Sequence, residues 1–431
     1  MPSATELKAA LGSGKTRSLF QVLYGAKSGV IEAQTARYLE LLDTFTSTFP
    51  EARDIAFYST PGRTEVGGNH TDHNGGRVLA AAVDLDVAAV AAPAVSPTIT
   101  IESEGYSRQT VEIGDLEPGE SEKYTSIALT RGVCARFRQL GYQVGGFNAC
   151  MSSRVMKGSG LSSSAAYEVM VATILNHLYN AGAIPDIEIA QIGQFSENNF
   201  FGKPCGLMDQ TTCQIGGFVT IDFKDSARPV VRKVDYDFSA SGYTLMIVDT
   251  GGSHADLNDD YAAVEQEMKA VARALGGSVL RQFSREHLLA ELPFLRERLK
   301  NDRAILRALH FYNDDRRVVE QVGALEKRDF GMFLKHVVES GRSSWMLCQN
   351  CYSHKAIQEQ GVSLALAMSE NLLSGRGAWR VHGGGFAGTI QAFVPADLTA
   401  DYGSAMRRVF GEKSCHELMI RPLGSLRLEI G

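Results

Sequence analysis

Residues 157–166 read KGSGLSSSAA, a glycine and serine run closed by two alanines. Glycine has no Cβ to hold an anion away and tolerates positive φ, so the backbone N–H groups of such a loop can close around a phosphate. Directly after it, Val171, Ile174, Leu175 and Leu178 recur at i, i+3, i+4 and i+7, which predicts an amphipathic helix opening from the loop. The positive end of that helix adds to the cradle, the physical logic of an anion site. A turn with one serine as N-cap is the plainer reading, but it explains one serine and leaves the other two and the small residues unexplained.

Two further glycine-rich segments flank this one: PGRTEVGGNHTDHNGG at 61–76 and HGGGFAG at 382–388. The first brings Arg63, a permanent cation able to stabilise a transferring phosphoryl group. Its His70 and Asp72 alternate with Asn69 and Thr71, so in an extended or turn conformation they share a face and can meet hydroxyls. Between the glycine segments lie Glu197 and, twelve residues on, Asp209 within CGLMDQ (205–210), whose small and apolar neighbours can bury a carboxylate and make its pKa and orientation functional. GSGKT at 12–16 has the ending of a Walker A loop, but Ala9 stands where the leading glycine belongs and no strand is predicted before it, so it reads as a flexible start. Cys348 and Cys351 have the spacing of half a zinc site, and no second pair completes it.

With 431 residues the chain is long enough for two or three domains, and two lobes around a cleft is the economical arrangement. Hydrophobic residues at 44% and charged residues at 21% describe a packed globular body, not a disordered or fibrous one. A net charge of -6 offers no footprint for nucleic acid, and no basic block or run of ~20 apolar residues suggests a membrane. The partner expected is a small molecule. MPSATELKAALGSGKTRSLF lacks a leader pattern and the seven cysteines are scattered, which together predict a cytoplasmic protein with free thiols.

Residues 17–50 read as helical; 55–58 as a strand leading into the first glycine segment; 83–92 as a β-branched and alanine-rich strand; 97–101 and 109–113 as a hairpin. Helical spacing returns at 129–140, 260–275, 294–311 and 314–325. Strands are predicted at 219–223 and 245–248, with a lobe boundary between them near 225–242, and paired strands at 379–382 and 389–394 around the third glycine segment.

The three segments in this order, from about Tyr58 to Arg421-Pro422, resemble the GHMP small-molecule kinases and, within them, the galactokinase family. That resemblance implies an α+β fold of two lobes: a ribosomal-protein-S5-like N-terminal lobe over 1–235 and an α/β-sandwich C-terminal GHMP lobe over 236–431. By it, Gly158, Ser159, Gly160, Leu161, Ser162, Ser163 and Ser164 bind the ATP phosphates, while Ser164 and Glu197 hold Mg2+. Asp209 and Arg63 are catalytic, and Asn69, His70, Asp72, Gly206 and Tyr261 bind the sugar. The implied reaction is transfer of the γ-phosphoryl group of ATP to the anomeric hydroxyl of galactose, by a monomer or weak homo-oligomer.

This chain departs from the family pattern. Asn69 stands in place of the sugar-binding glutamate, Glu65 in place of the usual asparagine and His73 in place of an aromatic. Ala387 replaces a glycine of the third segment, and the basic residues usual after Tyr261 are absent from 262–265. An amide both donates and accepts, whereas a carboxylate only accepts, so a kinase for another hexose or an N-acetylhexosamine stays open. A sugar sensor without turnover is a third reading, and the intact serine run speaks against it.

Overall fold

The computed structural model describes residues 4–14, 16–156, 160–252 and 257–430. Helices α1 (Ala4–Gly12), α2 (Arg17–Tyr24) and α3 (Val30–Thr48) come first, followed by strands β1 (Ala56–Gly67), β2 (Arg77–Pro93), β3 (Thr98–Ser103) and β4 (Gln109–Glu112). Helix α4 (Ser126–Gln139), strand β5 (Phe147–Ser153) and helices α5 (Ser163–Tyr179), α6 (Asp186–Ser196) and α7 (Met208–Ile215) follow, then β6 (Phe218–Asp222), β7 (Val230–Val234) and β8 (Tyr243–Asp249). Helices α8 (Asn258–Ala274), α9 (Arg285–Ala290), α10 (Leu292–Leu299), α11 (Asp302–Glu326), α12 (Phe330–Ser343) and α13 (Gly361–Leu373) come next. Strands β9 (Ala378–Val381) and β10 (Thr389–Pro395), helix α14 (Thr399–Phe410) and strands β11 (Cys415–Leu418) and β12 (Leu426–Leu428) complete the order.

The strands form two sheets. The larger has the order β12-β1-β2-β5-β3-β4, with β6 pairing β2 and β7 pairing β6; the smaller is β11-β8-β10-β9. Strand β2 pairs with β1 on one edge and is long enough to serve two partners on the other, β6 along 77–81 and β5 along 87–93. Its alternation sorts the core. Val87, Ala89 and Ala91 face a cluster with Val169 and Met170 of α5, while Ala88, Val90 and Ala92 face Tyr38, Leu42 and Phe45 of α3. Alanines on both faces let a helix approach closely from each side, which is why the run is apolar throughout and not alternating in polarity.

The expected strands and hairpin form, with several differences: the helical stretch expected over 17–50 is broken into α2 and α3 around Gly25 and Gly29, both at positive φ, and β7 lies inside the stretch 225–242 expected as a boundary. Strand β1 does not stop at Tyr58 but continues to Gly67, bulging between Pro61 and Arg63, so much of the first glycine segment is sheet. The helix expected over 294–311 is broken at Lys300, which takes a left-handed φ of 47°, and Asn301 caps the next helix by accepting from the Ala304 N–H at 3.1 Å. From there α11 runs unbroken into the helix expected at 314–325. In the GSGKT segment, Lys15 lies outside the described residues, and the element before it is α1, a helix and not a strand. Among the described residues no helix is long and apolar enough to cross a membrane.

Candidate active site

Gly62 lets β1 pass close to the phosphate loop: a Cβ there would lie 2.9 Å from the Leu161 carbonyl oxygen, the acceptor to which the Arg63 N–H donates at 3.1 Å. The Arg63 side chain then reaches two groups. Its Nε donates to Asp209 Oδ1 at 2.7 Å, and its Nη1 to the Gly160 carbonyl. Asp209 sits in the first turn of α7, where the helix dipole favours a carboxylate, and its Oδ2 accepts from the Ser162 hydroxyl. Ser162 itself adopts a left-handed φ of 60° at the N-cap of α5, strained backbone held where the loop turns into the helix. Gly158 and Ser159 lie outside the described residues.

Two residues on from Ser162, in the first turn of α5, Ser164 Oγ donates to Glu197 Oε1 at 3.0 Å. Glu197 opens a π-helical turn, Glu197–Phe201, a form of helix frequent at functional sites. It is buried, and its Oε2 accepts from Gln210 Nε2 at 3.0 Å. The same amide nitrogen donates to Glu168 Oε2 at 3.1 Å. Burial, and the nearby Glu197, push the Glu168 carboxyl well above the usual carboxylate range. A hydroxyl beside a carboxylate is a hard oxygen donor set suited to Mg2+, which takes one or two carboxylates and completes its shell with phosphates and water.

Among the residues expected to meet the sugar, Asp72 and Gly206 lie together: a Cβ on Gly206 would stand 2.8 Å from Asp72 Oδ2, so only glycine leaves that carboxylate in place. His70, half-buried and at a left-handed φ of 58°, hydrogen-bonds the Gly384 carbonyl through Nε2 at 2.9 Å. Tyr261 donates to the Gly385 carbonyl at 3.0 Å, its ring edge-on to Phe386, and burial raises its hydroxyl to about 12. Asn69 corrects the expectation that it faces the sugar. Its side chain is fully buried, and its two N–H groups and its oxygen are all engaged within the protein. The third glycine segment packs on the phosphate loop: a Cβ at Gly160 would lie 3.1 Å from the His382 ring, which also hydrogen-bonds Thr64 Oγ1 at 3.0 Å.

Burial pushes the His70 imidazole down from 6.5 to about 4, so the folded protein keeps it neutral while it donates to Gly384. Below pH 6.5 the unfolded chain takes up a proton that the folded one refuses until about pH 4, so stability rises with pH across this window. Relative to His70→Gln, which cannot ionise, the wild-type protein should lose roughly 3 kcal/mol between pH 6.5 and 4. Urea unfolding of both proteins across that range checks this, and a constant difference would contradict it.

Sequence reasoning missed a cavity of about 800 Å³, which opens beside Ser163 and Ser164 and is walled by Tyr106, Tyr124, Gln109 and Phe201. Tyr124 and Phe201 meet edge to face at 5.6 Å. Flat aromatic walls beside a phosphate loop suit a nucleobase. These residues come from separate connections, and no spacing in the sequence joins them. Glu168 and Gln210 were given no role, although the first lies two residues after the serine and alanine run and the second closes CGLMDQ.

The glycine–serine loop, the carboxylates and the arginine converge in one place, and residues 128–217, which hold the loop and both carboxylates, match the GHMP kinases N terminal domain. Residues 43–93 match the galactokinase galactose-binding signature, which begins earlier than the Tyr58 expected from the motifs. Galactokinase of Streptomyces coelicolor is 30% identical over 348 residues, 79% of this chain and 84% of that one. The chain belongs to the galactokinase family, and it is a sugar kinase. Among solved structures, Lactococcus lactis galactokinase complexed with galactose superposes with a TM-score of 0.75 at 21% identity, covering 90% of this chain and 98% of that one. Methanococcus jannaschii mevalonate kinase shares the fold at a TM-score of 0.60 and 14% identity, over 84% and 98% of the two chains.

Proposed function

We propose that this protein transfers the γ-phosphoryl group of ATP to the anomeric hydroxyl of galactose. The observation that carries the reading is the convergence of Arg63 and Asp209 on the phosphate loop, with Ser164 and Glu197 paired beside them. In the reaction the bond from the γ-phosphorus to the β,γ-bridging oxygen breaks and one to the anomeric oxygen forms. Asp209 orients that hydroxyl and takes its proton once the Ser162 hydroxyl turns from Oδ2 toward a phosphate oxygen. Arg63 offsets the charge gathering on the phosphoryl oxygens. Mg2+, when held by Ser164 and Glu197, neutralises phosphate charge. Gly160, Leu161, Ser162 and Ser163 line the phosphates; His70, Asp72, Gly206 and Tyr261 face the sugar; the cavity by Tyr106 and Tyr124 takes the nucleoside. A lobe division near residue 235 is supported by the chain leaving the first sheet after β7 at Val234 and entering the second with β8 at Tyr243, with β12 alone among the described strands returning to the first.

The test is a coupled ATPase assay with magnesium across galactose, N-acetylgalactosamine, glucose, arabinose and fucose. Galactose should lead in kcat/KM by at least about tenfold, the worth of one well-used hydroxyl contact. A second reading, a kinase for another hexose, draws support from the withdrawal of Asn69 from open space, and a different leading sugar would select it. Silence on every sugar would favour a sensor.

A further inference from the structure

Positions 65 and 69 carry a carboxylate and an amide in reverse of the family pattern, and in the fold these two side chains touch: Asn69 Nδ2 donates to Glu65 Oε1 at 2.9 Å. The wholly buried Arg380 donates to the same oxygen at 2.8 Å. Physical chemistry fixes the charge of this cluster without fixing which of the two positions bears it. Two carboxylates would repel at short range in low dielectric, and two amides would leave the buried guanidinium without a counter-charge.

The exchange changes what the amide meets. At position 69 it also donates to the Gly383 carbonyl at 2.8 Å, and a carboxylate there has no proton to give. Asn69 Oδ1 accepts from Asn350 Nδ2 at 2.8 Å and Ser344 Oγ at 3.2 Å, so its hydrogen-bonding capacity is used within the protein. The next two carbonyls of the third glycine segment are held the same way, Gly384 by His70 and by Asn350 at 3.0 Å, and Gly385 by Tyr261. His382, the residue before this run, rests on Gly160 of the phosphate loop.

We propose that Asn69 is a positioning residue: with its carboxylate partner moved to Glu65, it ties the 383–385 strap to the sugar-side segment and, through His382, sets the phosphate loop for ATP. The inference rests on the kinase reading only in that ATP is the ligand of that loop. Its test therefore measures binding of the non-hydrolysable β,γ-imido analogue of ATP with magnesium, by calorimetry without sugar, alongside Tm. Failure of the galactose assay would leave both measurements standing.

Asn69→Asp is nearly isosteric but faces Glu65 and the Gly383 carbonyl with oxygen only. It should weaken the analogue at least about tenfold and lower Tm by roughly 5 °C or more. The double variant Glu65→Gln with Asn69→Asp returns one carboxylate and one amide to the cluster without restoring the tie to Gly383. It should recover Tm to within about 2 °C while analogue affinity stays at least about fivefold weak. If Asn69→Asp does not fold, the double variant decides alone. Unchanged affinity in Asn69→Asp, affinity recovered together with Tm in the double variant, or a double variant that does not fold would each overturn the proposal.

Discussion

Asp209→Asn should lower kcat by about 10³-fold or more while galactose affinity, measured by calorimetry, stays within about threefold of wild type. The substitution keeps the size of the side chain and removes its charge. That charge has two functions in the fold: it faces Arg63 at 2.7 Å and accepts the Ser162 hydroxyl. An amide cannot take the proton of the sugar hydroxyl, and its nitrogen turned toward Arg63 would set donor against donor. His70, Asp72, Gly206 and Tyr261 are left in place, so the sugar still binds. Turnover that persists in a folded Asp209→Asn protein would remove this residue from the chemistry.

Arg63→Lys should cost about 10²- to 10³-fold in kcat even though the cation is kept. The guanidinium spans Asp209 through Nε and Nη2 and the Gly160 carbonyl through Nη1, a fork that one ammonium cannot reproduce. Lysine would engage the aspartate or the loop, not both in the same geometry. Because Gly160 belongs to the phosphate loop, KM for ATP should rise as well, by about tenfold. Steady-state kinetics with each substrate varied in turn checks this, and a loss confined to the sugar KM would show that Arg63 does not serve the phosphates.

Much of the site was legible because its chemistry sits in short local runs. Glycines that permit close approach, a serine run at a helix start and two carboxylates at a fixed separation can all be read without knowing the fold. Strand β2 was legible for the same reason, its alanines and valines being local. What could not be read depends on partners distant in sequence. Gln210 bridges Glu197 to Glu168 only because α5, α6 and α7 pack together. Tyr106, Tyr124 and Phe201 share one cavity only after three connections converge. Glu65 and Asn69 each looked like an isolated departure from the family pattern, and their direct hydrogen bond gives the two departures one physical cause. The break at Lys300 left a local trace in Asn301, a good N-cap lying inside an apparently continuous helical period.

Strand β12 pairs with β1, the strand that carries Arg63, and Arg421 beside it reaches Ser59 Oγ at 2.7 Å within the buried network around Asp86. A ribosome makes these partners some 360 residues apart. Until residues 421–428 emerge, β1 has an open edge and Asp86 lacks one of its two arginines, so this sheet cannot settle into its finished form before then. The strand bearing Arg63 thus belongs to a sheet that waits for residues made some 360 positions later, so the surroundings of this arginine mature well after the residue itself has been made.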